Sequence, residues 1–167
     1  FAYAGVMLGF LMALRTEFGT WTALGVILTA KSCDIGAYFT GRAIGRHKLI
    51  PWLSPGKTWE GLAGGMAFAG LVGVGCALAE QRWGGVRGIS MSVPHGLVAG
   101  ALLGLVAQLG DLSASVLKRD AGIKDAGRIL PGFGGVIDVI DSLVLAGPVA
   151  FWYLILLRGA SLPPGIG

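Results

Sequence analysis

Gly96-Leu97-Val98-Ala99-Gly100-Ala101-Leu102-Leu103 decides the fold class. The run does not alternate apolar with polar residues, so it is no strand of a membrane barrel, whose lipid-facing and lumen-facing positions alternate. It belongs to a longer apolar stretch, 95–117, and a helix needs roughly 20 such residues to cross about 30 Å of hydrocarbon. Working outward, stretches of the same kind cover 21–41, 61–79 and 136–157, with a shorter one, read as a truncated span, at 1–14. Backbone polar groups in lipid must pair within their own segment. The expected fold is therefore all-α, a polytopic transmembrane bundle with about five membrane helices in a single domain over 1–167.

Composition agrees. Of 167 residues 54% are hydrophobic and 13% charged, with mean hydropathy +0.73, against roughly 25% charged residues in soluble domains. This excludes a disordered tail or a disulfide scaffold and argues against an ordinary soluble enzyme. Thirty glycines suit helices whose backbones pack closely in lipid, and Gly61/Gly65 and Gly100/Gly104 have GxxxG spacing. Cys33 and Cys76 have no ligand-like spacing and read as small buried side chains. The chain opens at Phe1 inside an apolar run, which reads as a fragment missing N-terminal sequence rather than as a signal peptide.

The net charge of +4 conceals a pattern. Arg42, Arg46, Lys48 and Lys57 fall in the connection 42–60, and Lys118, Arg119, Lys124 and Arg128 in the connection 118–135. Parity puts these two connections on one side of the membrane and 15–20 with 80–94 on the other. The second pair holds only Arg15, Arg82 and Arg87, so the positive-inside rule makes 42–60 and 118–135 cytoplasmic.

Ionisable residues against apolar helices are functional candidates by default, and they form three groups. Lys31 and Asp34 are three apart and can pair on one helix face; the plainer reading is a snorkelling lysine answered by Asp34. Ser54-Pro55-Gly56-Lys57-Thr58-Trp59-Glu60-Gly61 brings an ammonium and hydroxyls to a helix start, where free N–H groups favour anions. The plainer reading there is a capped helix with Glu60 in its first turn. In the third group Asp111, Ser115 and Lys118 share a helix face, Lys124 and Asp125 follow, and Asp138 and Asp141 face together at the start of the last segment. Carboxylates on two helices suit Mg2+, which takes one or two of them together with substrate phosphates. The bases beside them would neutralise phosphate charge. The alternative, aspartates that only balance adjacent bases, is expensive in an apolar layer. His47 and His95 lack neighbouring ligands and read as boundary residues.

These motifs together resemble bacterial phosphatidate cytidylyltransferases (CDP-diacylglycerol synthases), whose signature runs roughly S-x-x-K-R, K-D-x-G, L-P-G-H-G-G and D-R-x-D. Here it reads Ser115-x-x-Lys118-Arg119, Lys124-Asp125-x-Gly127, Leu130-Pro131-Gly132-Phe133-Gly134-Gly135 and Asp138-Val139-x-Asp141. The upstream D-x-x-A-Y-x-x-G-R and S-P-x-K-T-x-E-G motifs stand at Asp34 to Gly45 and Ser54 to Gly61. Phe133 and Val139 replace the usual His and Arg, so no step of theirs carries over.

The resemblance implies a membrane-embedded catalytic domain converting CTP and phosphatidate to CDP-diacylglycerol and pyrophosphate. It implies Mg2+ on Asp111, Asp138 and Asp141, with room for a second, monovalent cation such as K+. Ser115, Lys118 and Arg119 would handle phosphates, and Asp34, Ser54, Lys57, Thr58, Glu60, Lys124 and Asp125 would line the substrate site. The implied setting is a homodimer in the bacterial inner membrane, its active site facing the cytoplasm, with lipid and CTP but no nucleic acid as partners. Two alternatives stay open: a CTP-dependent polyprenol or lipid kinase, which would release CDP, and an ion transporter using intramembrane aspartates, which would place them near the midplane.

Overall fold

The computed structural model describes residues 2–83, 91–120, 122 and 136–161, with side chains from 5 onward and not for 136–140 or 160–161. Five helices carry the fold: α1 (Ala2–Phe18), α2 (Thr20–Ile44), α3 (Trp59–Trp83), α4 (Val93–Asp120) and α5 (Val136–Ser161). Between α2 and α3 lies an antiparallel hairpin, β1 (Lys48–Ile50) and β2 (Ser54–Thr58). The bundle is thus the expected all-α architecture, with a small hairpin where the sequence suggested only a connection. Gly19, at φ 101°, makes the tight break between α1 and α2, a conformation open to glycine without steric penalty. The helix α4 runs through Lys118 and Arg119, so both bases belong to its last turn rather than to a loop.

Three helical stretches, Trp59–Trp83, Val93–Asp120 and Asp141–Gly159, are long and apolar enough to cross a membrane. The first helix, at 17 residues, is shorter than these, and α2 carries Lys31, Asp34 and Arg42 within its 25 residues.

Side-chain contacts give the helix directions. Gly25 lies by Cys76 and Gly41 by Gly61, so α2 and α3 are antiparallel; Gly73 lies by Gly96 and Gly104 by Ala69, so α3 and α4 are antiparallel. Gly110 lies by Asp141 while Tyr153 reaches the His95 carbonyl, which makes α4 and α5 antiparallel. Contacts of Phe10 with Phe151 and of Glu17 with Arg158 set α1 parallel to α5. The serpentine path brings the hairpin and the C-terminal end of α4 to the same end of the bundle, as parity required.

A stripe of small residues draws the helices together. On α3 the buried positions Gly61, Gly65, Ala69, Gly73 and Ala77 recur every fourth residue, and on α4 Gly96, Gly100 and Gly104 do the same. Such stripes let backbones approach closely where lipid offers no hydrophobic drive for association. Both GxxxG pairs lie in this seam: Gly65 against Cys33, and Gly104 against Ala69 and Cys33. Cys33, fully buried, fills the junction of α2, α3 and α4. A second core, with Leu14, Phe18, Val26, Leu103, Leu143 and Leu154, joins α1, α2, α4 and α5.

The outer surface is apolar, with Leu28, Phe39, Leu71 and Leu156 all more than half exposed. Exposed tryptophans mark both ends, Trp21 and Trp83 at one and Trp52 and Trp59 at the hairpin end, as expected of side chains that settle at membrane–water interfaces. Trp59 and Trp83 are the ends of α3, about 36 Å apart at 1.5 Å per residue.

Packing of this kind makes a specific claim about single glycines. A Cβ on Gly73 would collide with the Gly96 carbonyl and lie 2.9 Å from Gly100 Cα, whereas one on Gly75 meets no described atom within 4 Å. Gly73→Val is expected to destabilise the protein by about 1–3 kcal/mol or more through overpacking. Gly75→Ala is expected to be neutral or to stabilise by up to ~1 kcal/mol through helix propensity. Thermal melting in detergent checks both.

Candidate active site at the hairpin end of the bundle

The hairpin is fixed to the start of α3 by its own polar groups. Thr58, 5% exposed, caps the helix by accepting the Gly61 N–H at 3.1 Å, a standard way of satisfying first-turn donors. The Glu60 carboxylate accepts the His47 backbone N–H at 3.2 Å and meets His47 Nδ1 at 2.6 Å. Trp59 N–H donates to the His47 carbonyl at 3.0 Å. The strand register pairs Lys48 with Thr58 and Ile50 with Ser54, with an irregularity between them. Extra residues on one strand bend a ladder and re-aim side chains, and here Lys57 is turned into the bundle.

Inside, three lysine–aspartate pairs form a charged layer across four elements. Lys57 Nζ meets Asp111 Oδ2 of α4 at 2.5 Å. Lys118 Nζ lies 3.9 Å from Asp141 Oδ2, joining α4 to α5. Lys31 Nζ lies 3.7 Å from Asp34 Oδ2, whose other oxygen accepts Gln108 Nε2–H at 2.8 Å. Lys31 also donates to Ser142 Oγ at 2.7 Å, and Ser142 N–H donates to Asp141 Oδ1 at 2.6 Å. Asp111 and Asp141 are neighbours across the α4–α5 contact, where Gly110 packs against the Asp141 carbonyl and the two carboxyls interact electrostatically. Lys57 Nζ is shielded from solvent, and its contact with Asp111 lacks the angles of a hydrogen bond. The ammonium is held by charge, with its N–H donors uncommitted among the described residues.

Beside this layer lies a cavity of about 340 Å³, lined among others by Asp34, Ser54, Lys57, Thr58, Gln108 and Asp111. Its wall combines these charged and hydroxyl-bearing side chains with apolar ones such as Ala37, Leu49 and Leu62. Asp34 lies near the middle of α2, about 20 Å from Trp21 at 1.5 Å per residue, whereas Asp111 and Asp141 lie in the halves of α4 and α5 nearer the hairpin, so the layer extends from the hairpin side to the centre of the bundle.

The sequence-derived residues are therefore gathered unevenly. Asp34, Ser54, Lys57, Thr58 and Asp111 meet at the cavity, and Asp141 and Lys118 adjoin through Asp111. Ser115 is half-buried on the same helix and makes no hydrogen bond among the described residues. Glu60 faces His47 and Arg119 is exposed. The Asp138 backbone lies in the first turn of α5, while its side chain, together with Lys124, Asp125 and Phe133, lies outside the described residues. Gln108 and Ser142 were not singled out by the sequence. A lone amide one turn before Asp111, and a serine directly after Asp141, were the available signals.

Comparison with known proteins follows the same lines. Residues 1–157 match the cytidylyltransferase family. A phosphatidate cytidylyltransferase of Brucella suis is 40% identical over 98% of this chain and 58% of its own length. Phosphatidate cytidylyltransferases of Pseudomonas aeruginosa and Synechocystis are 43% and 42% identical over 75% and 81% of this chain, covering 44% and 45% of their own lengths. The chain thus spans about half the length of the curated relatives it matches. A match running from the first helix through most of the last, over a bundle that brings three of the motifs together, means that this chain belongs to the cytidylyltransferase family.

Proposed function

We propose that the chain forms the catalytic portion of a phosphatidate cytidylyltransferase. A phosphate oxygen of phosphatidate attacks the α-phosphorus of CTP, the bond to the β-phosphate oxygen breaks, and CDP-diacylglycerol and pyrophosphate result. The observation that carries this reading is the Lys57–Asp111 pair in the wall of a cavity within a largely apolar bundle. It offers a buried cation with unused donors beside a carboxylate, where a phosphate could be held.

Bringing two anions together in line is mostly a problem of positioning and charge neutralisation. Lys57 and the hydroxyls of Ser54 and Thr58 would hold phosphates at the cavity. Lys118, with Arg119 and Ser115 on the same helix, would take the leaving pyrophosphate, and Lys124 and Asp125 are assigned to the site from their sequence motif alone. The three lysines and three aspartates of the layer balance one another, so two added anionic substrates call for further positive charge. Asp111 and Asp141 fit Mg2+, which needs one or two carboxylates together with phosphates and water. Among the described residues no cluster of three such ligands occurs, and Asp138 stands as the expected third. Bound there, Mg2+ would supply neutralisation of CTP phosphate charge; a neighbouring monovalent ion such as K+ belongs to the same proposal.

The hairpin end is proposed to face the cytoplasm of a bacterial inner membrane, since the hairpin connection with Arg42, Arg46, Lys48 and Lys57 and the last turn of α4 with Lys118 and Arg119 lie there. Homodimer formation is part of the same proposal. An ion transporter would need its carboxylates near the midplane; Asp34 lies near the middle of α2, while Asp111 and Asp141 lie nearer the hairpin end.

The protein in detergent, given radiolabelled CTP, phosphatidate and Mg2+, is expected to form CDP-lipid and pyrophosphate. Asp111→Ala and Asp138→Ala are each expected to lose activity by about 100-fold or more, in the range seen when a transition-state charge partner is removed, and chelation is expected to abolish it. Release of CDP and a phosphorylated lipid would instead identify a CTP-dependent kinase. Lys57→Met is expected to raise the KM for CTP and also to lower the melting temperature, because it leaves Asp111 without its buried cation. Thr58→Val, which removes the cap, is expected to cost about 1 kcal/mol of stability, measurable by thermal melting.

A further inference from the structure

Lys31 lies in the eleventh residue after Thr20, deep in α2. A lysine at such a position ordinarily extends its stem toward the interface to keep its charge in water. This one turns inward. Its ammonium donates to Ser142 Oγ at 2.7 Å on α5, and Ser142 is fully buried. The same serine gives its backbone N–H to Asp141 Oδ1 at 2.6 Å. On the other side Lys31 meets Asp34, which is held by Gln108 of α4. A polar thread, Gln108–Asp34–Lys31–Ser142–Asp141, therefore crosses three helices and ends on a carboxylate beside Asp111, where Gly110 packs against the Asp141 carbonyl.

That arrangement is under tension. Two carboxylates facing each other repel, and Lys118 offers Asp141 another partner 3.9 Å away. Asp141 keeps its direction only if the start of α5 is fixed at Ser142. We propose that Lys31 is a positioning residue: its bond to the Ser142 hydroxyl ties α5 to α2 and so aims Asp141 at Asp111. Lys31 itself touches no substrate. The inference rests on the reading of Asp111 and Asp141 as the metal-holding carboxylates, and partners one step behind such ligands typically change metal affinity 10- to 100-fold.

The test measures binding of Mn2+ alone by electron paramagnetic resonance, with melting temperature recorded alongside. The variants of the detergent-purified protein are Lys31→Met, Ser142→Ala, their double mutant and Lys31→Arg. Each single variant is expected to bind Mn2+ about 10-fold more weakly. The double mutant is expected to be no weaker than either single variant, because both remove the same link. Lys31→Arg, which retains a donor, is expected to recover part of the loss, and the KM for CTP measured at saturating Mg2+ is expected to stay unchanged in all four. Multiplicative losses in the double mutant, or a lowered melting temperature with wild-type Mn2+ affinity, would overturn the proposal. Ser142→Ala leaves every charge in place and decides the question by itself if Lys31→Met does not fold. Wild-type protein that binds no Mn2+ would remove the metal reading and this inference together; wild-type binding that is unchanged in Ser142→Ala would remove the inference alone.

Discussion

The close approach of backbones along the small-residue seam is the constraint on which everything else depends. Gly61, Gly65, Ala69, Gly73 and Ala77 put one face of α3 directly against α2 and α4. Only at such separation can Lys57, carried on the strand that leads into α3, reach a carboxylate on α4, and only then can Gln108 of α4 reach Asp34 of α2. Larger side chains in the seam would hold the helices apart and leave charges in the apolar layer without partners. Breaking a buried ion pair by removing one member is strongly destabilising, on the order of 3–5 kcal/mol. Packing and electrostatics are thus one arrangement in this bundle.

The charged layer is also self-balancing. Each of Asp34, Asp111 and Asp141 has a lysine within 4 Å, and each pair joins or braces a different part of the bundle. Lys31–Asp34 lies within α2, Lys57–Asp111 ties the hairpin to α4, and Lys118–Asp141 ties α4 to α5. Ionisable groups at membrane depth persist when paired with one another or facing the bundle interior, and this layer meets both conditions. Its balance lets each charge persist within the bundle, and under the proposed function the same lysines would be drawn toward a bound phosphate.

Much of this was legible in the sequence, for identifiable reasons. The helices followed from apolar length, and their alternation from the placement of bases. Lys31 with Asp34 followed from i,i+3 spacing, which fixes neighbours within a helix. The hairpin did not, because Pro55 and Gly56 read as a connection and a short ladder gains its stability from the helix beside it. The Lys57–Asp111 pair spans 54 positions, which no local pattern can encode. Asp111, Ser115 and Lys118 were assigned to one face, yet Ser115 remains outside the bonded network while its two companions enter it. Ser142 and Gln108 went unnoticed because one polar side chain in an apolar helix does not reveal which neighbour it faces.

The paired tryptophans at the two ends of α3 have a consequence for the chemistry between them. Their separation, about 36 Å by helix rise, is built into a rigid rod, whereas the hydrocarbon thickness of a bilayer varies by several ångströms among membranes and a mismatched helix tilts to compensate. Lys57, two residues before this rod, would be lifted or lowered against the lipid headgroups by any such tilt. Hydrocarbon thickness in the surrounding membrane thereby becomes a variable in how deep the Lys57–Asp111 pair sits.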